Sequence, residues 1–100
     1  MNKLILAALF LPTLALAEKP TFEVCQSYST YAETVMESRQ LGVDMASAYE
    51  MVKDEKILST ILISAYDLPR YSTQDFKDNA ISDFKNKWFL TCINARKSAK

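Results

Sequence analysis

Paired carboxylates are the residues in this sequence whose type and spacing come closest to a catalytic arrangement. Glu33 and Glu37 are four positions apart, which places both on one face of a helix, as general acid–base catalysis would require. The same spacing is routine on solvated helix faces, and we interpret the pair in that way. Asp75, Asp78 and Asp83 lack the alternating ligands and central glycine of a calcium loop.

Several residue types on which enzymes depend are scarce. The chain has no histidine, so the commonest general base and metal ligand is missing. Its single glycine cannot build a glycine-rich phosphate loop. Serine and threonine are plentiful, but no base is apparent that would make one of them a nucleophile. We therefore expect a protein that is not an enzyme and that uses no cofactor or metal.

The two cysteines, Cys25 and Cys92, predict a structural disulfide. An even pair in an exported chain is typical of a disulfide, whereas a redox-active pair usually has the close C-x-x-C spacing. The bridge would close nearly the whole domain into one loop, which the chain-entropy treatment credits with about 4 kcal/mol.

The first 17 residues predict an export signal. A basic start at Met1–Lys3 precedes the apolar run Leu4–Ala17, which ends in an Ala-x-Ala cleavage site. A retained membrane anchor is the alternative, but this run is shorter than the roughly 20 residues of a spanning helix and contains Pro12. We expect cleavage after Ala17, a single domain at 18–100, a periplasmic location and no stable membrane insertion.

The charge of the exported domain argues against nucleic acid as a partner. The whole chain balances 12 basic against 12 acidic residues, and loss of Lys3 with the signal leaves a slight acidic excess. A nucleic-acid-binding protein needs clustered positive charge to displace counterions from phosphates. We therefore expect a protein partner.

Apolar residues at helical spacing predict four helices. The first covers about Thr21–Leu41 and ends at Gly42, which is suited to a left-handed cap. The second is short, has Asp44 or Ser47 as its cap, and ends near Lys53.

The third and fourth helices follow from the same spacing. Asp54 is the expected cap of the third helix, which Pro69 ends; whether this helix is separate from the second stays open. Ser72 or Thr73 caps the fourth helix, which reaches about Arg96. Because a disulfide needs Cα atoms roughly 5–6 Å apart, the sequence predicts a small all-α bundle whose first and last helices pack together.

One candidate binding surface lies in the stretch SAYDLPRYSTQDF, residues 64–76. Tyr66, Arg70 and Tyr71 surround Pro69 between two helices, and tyrosine and arginine often dominate the energy of protein interfaces. The structural alternative is that Tyr66 completes the core, Tyr71 packs on Phe76, and Arg70 is solvated.

A second candidate is SRQLGVDM, residues 38–45, where Arg39 and Gln40 precede the Gly42 turn. Its structural alternative is an ordinary capped helix end. Both stretches stay candidates for partner binding.

The exported domain carries one extended residue pattern: Cys25, Arg39-Gln40-x-Gly42-Val43-x-Met45, Ala65-Tyr66-x-x-Pro69-Arg70-Tyr71-Ser72, Phe84 and Cys92. This pattern resembles a group of small exported proteins of proteobacteria and their phages. The resemblance implies a bacterial periplasmic setting and a phage or prophage origin, and it supplies no catalytic residues.

We therefore predict a non-enzymatic periplasmic protein that presents a helical surface to an envelope protein. A phage-derived inhibitor or superinfection-exclusion factor would be its specific form. The alternative is an acid-protective periplasmic chaperone, because acid would protonate many of the 12 carboxylates and leave a strongly positive chain with exposed aromatic faces.

Overall fold

The chain folds into four helices, as its apolar spacing predicts. The computed structural model describes residues 20–98, with α1 at Thr21–Leu41, α2 at Met45–Val52, α3 at Lys56–Tyr66 and α4 at Gln74–Ser98. No strand occurs in this part of the chain. The all-α class is therefore confirmed, whereas the expected signal peptide at residues 1–17 lies outside the described residues.

The end of α1 follows directly from Gly42. Its φ of 86° is in the left-handed region, and the N–H groups of Gly42 and Val43 donate to the carbonyls of Arg39 and Ser38. These bonds satisfy carbonyls that a helix end would otherwise leave without a donor. Both the predicted end of α1 and the predicted role of the glycine are confirmed.

Asp44, rather than Ser47, begins α2. Its carboxylate accepts from the Ser47 backbone N–H at 3.0 Å and from the Ser47 hydroxyl at 3.2 Å. Residues 53–55 separate α2 from α3, so the two are distinct helices. The expected Asp54 cap is wrong: Glu55 is extended and precedes α3, and no side chain caps that helix.

The segment between α3 and α4 is well defined by backbone bonds. α3 ends at Tyr66, three residues before Pro69, and the Asp67 N–H still donates to the Ile63 carbonyl. Thr73, not Ser72, caps α4, since its hydroxyl accepts from the Phe76 N–H at 3.3 Å.

The predicted disulfide is present. Cys25 and Cys92 are 67 residues apart, and their Cα atoms lie 5.4 Å from each other. The bridge joins α1 to α4 near one end of the bundle, and Lys77 contacts Gln40 at the other end, so these helices are antiparallel. The predicted pairing of the first and last helices is confirmed.

α1 is the central helix of the bundle, with α4 and α3 packed along it and α2 packed on α3. α3 runs parallel to α1, because Tyr66 contacts Val43 at one end and Ile57 lies near Tyr28 at the other. The core consists of Ala32, Val35, Met36, Val52, Ile61, Leu62, Ala65 and Phe84. Within residues 20–98, no helix combines the length and apolar character needed to cross a bilayer.

Candidate functional site

The fold brings the two candidate stretches into direct contact at one end of the bundle. We call this region the corner; it consists of residues 39–43 at the end of α1 and residues 66–71 between α3 and α4. All five candidate residues from the sequence belong to it: Arg39, Gln40, Tyr66, Arg70 and Tyr71. What the sequence suggested as two surfaces is therefore one connected structure.

Gln40 joins the two halves of the corner. Its side chain is 2% exposed, and its amide nitrogen donates to the Pro69 carbonyl at 2.9 Å. Its amide oxygen accepts from the Tyr71 N–H, also at 2.9 Å. A buried amide whose donor and acceptor are both paired stabilises the arrangement, since an unpaired buried polar group is costly. Gln40 thus positions the loop and offers no amide group to a partner.

Arg39 and Tyr66 form a second connection. The Arg39 Nε donates to the Leu68 carbonyl at 2.9 Å, and the guanidinium lies over the Tyr66 ring, 5.4 Å from its centroid. The Tyr66 hydroxyl donates to the Val43 carbonyl at 2.8 Å. Burial raises the pKa of the Tyr66 phenol, and the Arg39 charge opposes that increase. The hydroxyl therefore remains a donor at neutral pH.

Arg70 completes the end of α1, so the expectation that it would be solvated is wrong. Its Nε donates to the Gln40 carbonyl at 2.9 Å, and its Nη2 donates to the Leu41 carbonyl at 3.3 Å. The Lys77 ammonium also donates to the Gln40 carbonyl, at 2.9 Å. Two cations thus meet the partial negative charge of a helix C-terminus, where they are most favourable.

The Arg70 guanidinium also lies against Gly42. A Cβ atom at position 42 would be 2.9 Å from the guanidinium carbon of Arg70. Glycine is therefore required twice, by its positive φ and by this close approach.

Apolar side chains project from this rigid frame. Leu41 is 75% exposed and Phe76, in the first turn of α4, is 59% exposed. The Tyr71 ring packs at 6.0 Å from that of Phe76, as its structural alternative predicted, and Val43 and Leu68 are also exposed. The corner therefore combines fixed backbone with accessible apolar and aromatic area.

A polar recess lies beside the corner, between α1 and α4. It has a volume of about 500 Å³, and its walls carry both signs of charge, from Glu37 and Asp78 on one hand and Arg70 and Lys77 on the other. Both cations already donate to the carbonyls at the end of α1.

The carboxylate pair of α1 is divided between two surroundings. Glu33 faces Lys85 of α4, with an N–O distance of 3.5 Å, whereas Glu37 lines the polar recess. This placement fits the solvated helix face predicted from the sequence better than a pair of convergent acids. Residues 20–98 contain no cluster of three or more side chains suited to a metal ion.

Sequence reasoning missed Lys77 as a member of the corner and missed that Gln40 would be the buried element. The available signal was the end of α1, whose last carbonyls need donors from elsewhere in the chain. Comparisons with protein-family models, curated proteins and solved structures find no match to this chain.

Proposed function

We propose that this chain is a non-catalytic periplasmic protein whose corner binds a protein of the bacterial cell envelope. The disulfide supports an oxidising compartment, where such bridges form and persist. The resemblance to small exported proteins of proteobacteria and their phages extends the proposal to an inhibitor or exclusion factor acting on an envelope target.

The observation that carries the proposal is the combination of exposed apolar side chains with a fixed frame. Leu41 and Phe76 are largely exposed, and the backbone beside them is held by the side chains of Gln40 and Arg70. A surface that is already ordered loses little conformational entropy on binding, so more of the contact free energy appears as affinity. Single exposed apolar residues are common, but several around one rigid turn are suited to an interface.

The corner residues divide into two roles under this proposal. Leu41, Phe76 and the exposed face of Tyr71 supply contact area, with the accessible edge of Arg70 as a polar contact. Gln40 and Tyr66 act through position, because their polar atoms are bonded within the chain.

The test is site-specific crosslinking in the periplasm of a host cell. A photoreactive residue at position 41 is compared with one at position 51, because Met51 is 84% exposed and lies on α2, outside the corner. We expect position 41 to crosslink one envelope protein, identified by mass spectrometry, and position 51 to crosslink none.

Affinity for that protein then distinguishes contact from proximity. The double variant Leu41→Lys, Phe76→Lys is expected to weaken binding at least about tenfold, since truncated interface anchors cost more than about 1 kcal/mol each. Met51→Lys is the matched control and should bind like the wild type. Equal crosslinking at both positions, or unchanged affinity of the double variant, would contradict the proposal. Suppression of client aggregation in acid by all variants alike would support the chaperone instead.

A further inference from the structure

An apolar groove lies far from the corner, beside the disulfide. Its volume is about 270 Å³; α1 forms its floor, α3 and α4 its walls, and the residues used below are Tyr28, Ile57, Ile61, Trp88, Ala95 and Arg96. α3 and α4 make little contact with each other, so this seam of the bundle is left open where α4 continues past the start of α3.

The groove ends in a cation that has no acidic partner. Arg96 lines it, and its only hydrogen bond is a long one, 3.4 Å, from Nε to the Thr21 hydroxyl. Arg96 forms no salt bridge within residues 20–98. From Phe84 to Ser98, α4 carries four basic residues and no aspartate or glutamate. An anionic group at this end of the groove therefore meets positive charge and no repulsion from α4.

Trp88 gives a second, independent indication of an occupant. Its side chain lines the groove, and its Nε1 is buried without a hydrogen-bond partner in the described part of the chain. A buried indole N–H normally has a partner, and leaving it unpaired costs free energy. A ligand that enters the groove changes the surroundings of this group.

The dimensions favour a small occupant over a protein. Trp88 and Arg96 are eight residues apart on α4, about 12 Å at 1.5 Å per residue. A zigzag chain of ten carbons, with bonds of about 1.5 Å, extends to roughly the same length. A stable protein interface buries at least about 1,000 Å², which a groove of this size does not supply by itself.

We propose that this groove binds a free single-chain anionic amphiphile, such as a medium-chain carboxylate. The apolar chain lies against Ile57, Ile61 and Ala95, and the carboxylate accepts hydrogen bonds from the Arg96 guanidinium. This site goes beyond the binding function of the corner and shares none of its contact residues, so either can fail without the other.

Trp88 is the only tryptophan of the chain and serves as the reporter. The exported, oxidised protein is titrated with decanoate below its micelle concentration while Trp88 emission is recorded. We expect a saturable change with one site per chain, and a much weaker response to the cationic analogue decyltrimethylammonium. Equal binding of the two, or the absence of saturation, would overturn the proposal.

Two matched pairs of variants locate the site. Arg96→Gln is expected to weaken decanoate binding about tenfold, as for loss of a charge-assisted hydrogen bond, whereas Lys97→Gln should stay within about twofold. Ile57→Gln should also weaken binding and Ile63→Gln should not, although the two side chains are similarly exposed, at 49% and 43%. Only Ile57 lines the groove. Circular dichroism checks that all four variants keep the wild-type fold.

Vesicles of an anionic phospholipid distinguish a free amphiphile from a membrane surface. If only vesicles change Trp88 emission and decanoate does not, the groove proposal is wrong and this end of the bundle is a membrane-binding face. If Lys97→Gln weakens binding as much as Arg96→Gln, the interaction is general attraction to a basic helix, and the proposed site is likewise wrong.

Discussion

Gln40 shows how one polar side chain can hold two distant segments together. Its amide group has both a donor and an acceptor, and the backbone of the α3–α4 loop offers the complementary pair at Pro69 and Tyr71. Its own carbonyl accepts from Arg70 and Lys77. The corner therefore depends more on this residue than on the exposed side chains that it presents.

Replacing Gln40 by alanine should destabilise the fold. The change removes two hydrogen bonds and leaves buried backbone groups without partners, which should lower the free energy of unfolding by about 2–4 kcal/mol. Denaturant unfolding measures this, with an unchanged m-value expected if the native state stays compact. Gln26→Ala, at an exposed position of the same helix, is the control and should cost less than about 0.5 kcal/mol. Equal effects of the two changes would contradict the role given to Gln40.

The residue types of the corner could be recognised from the sequence, but their bonds could not. Tyr66, Arg70 and Arg39 were identified because their types suit interfaces. The bonding of Arg70 was predicted wrongly because its acceptors lie on another helix, about 30 residues earlier in the chain. Local spacing contains no information on such a pairing; only the packing of α1 against the loop brings it about.

At the scale of elements, helix bounds were predictable where the cap and the apolar spacing agree. α1 combines a long apolar stripe with the chain's single glycine at its end, and its predicted range is the observed one. α3 lacks such agreement, because Asp54 and Glu55 are adjacent and the backbone turns extended at the second of them. The sequence could not decide between Ser72 and Thr73 either, since both hydroxyls precede α4 at workable spacing.

Asp44 and Asp54 test the capping of the two short helices. α2 has only eight residues, so its stability depends strongly on its first turn. Asp44→Ala removes the acceptor of the Ser47 N–H and should cost about 1 kcal/mol in thermal or denaturant unfolding. Asp54→Ala changes the same residue type at a position that makes no capping bond to α3, and should be near neutral. A larger loss for Asp54→Ala than for Asp44→Ala would contradict this assignment of caps.

At the scale of the whole molecule, α1 and α4 are joined at both ends by different means. The corner joins one end through hydrogen bonds to the last carbonyls of α1, and the disulfide joins the other covalently. The cysteines allowed the second connection to be predicted, because the geometry of a disulfide requires adjacent helices. The open seam between α3 and α4 could not be predicted, since it depends on α3 being 11 residues long beside an α4 of 25.

The unequal nature of these two connections leads to a prediction about reduction. Replacing Cys25 and Cys92 by alanine should lower the free energy of unfolding by about 4 kcal/mol, because the unfolded chain is no longer closed into a loop of 67 residues. The remaining ties between the ends of α1 and α4 are the edge contact of Phe22 with Phe89, at 5.9 Å between centroids, and the long bond of Arg96.

Hydrogen exchange shows where that loss is felt. Amides from Thr91 to Ser98 should lose protection first in the alanine variant, whereas the Tyr71 amide, bonded to Gln40 at the opposite end, should open only with global unfolding. A reducing agent should reproduce the change in the wild type and leave the variant unaffected. Loss of protection at Tyr71 before Thr91 would show that the corner, and not the disulfide end, is the weaker connection of the bundle.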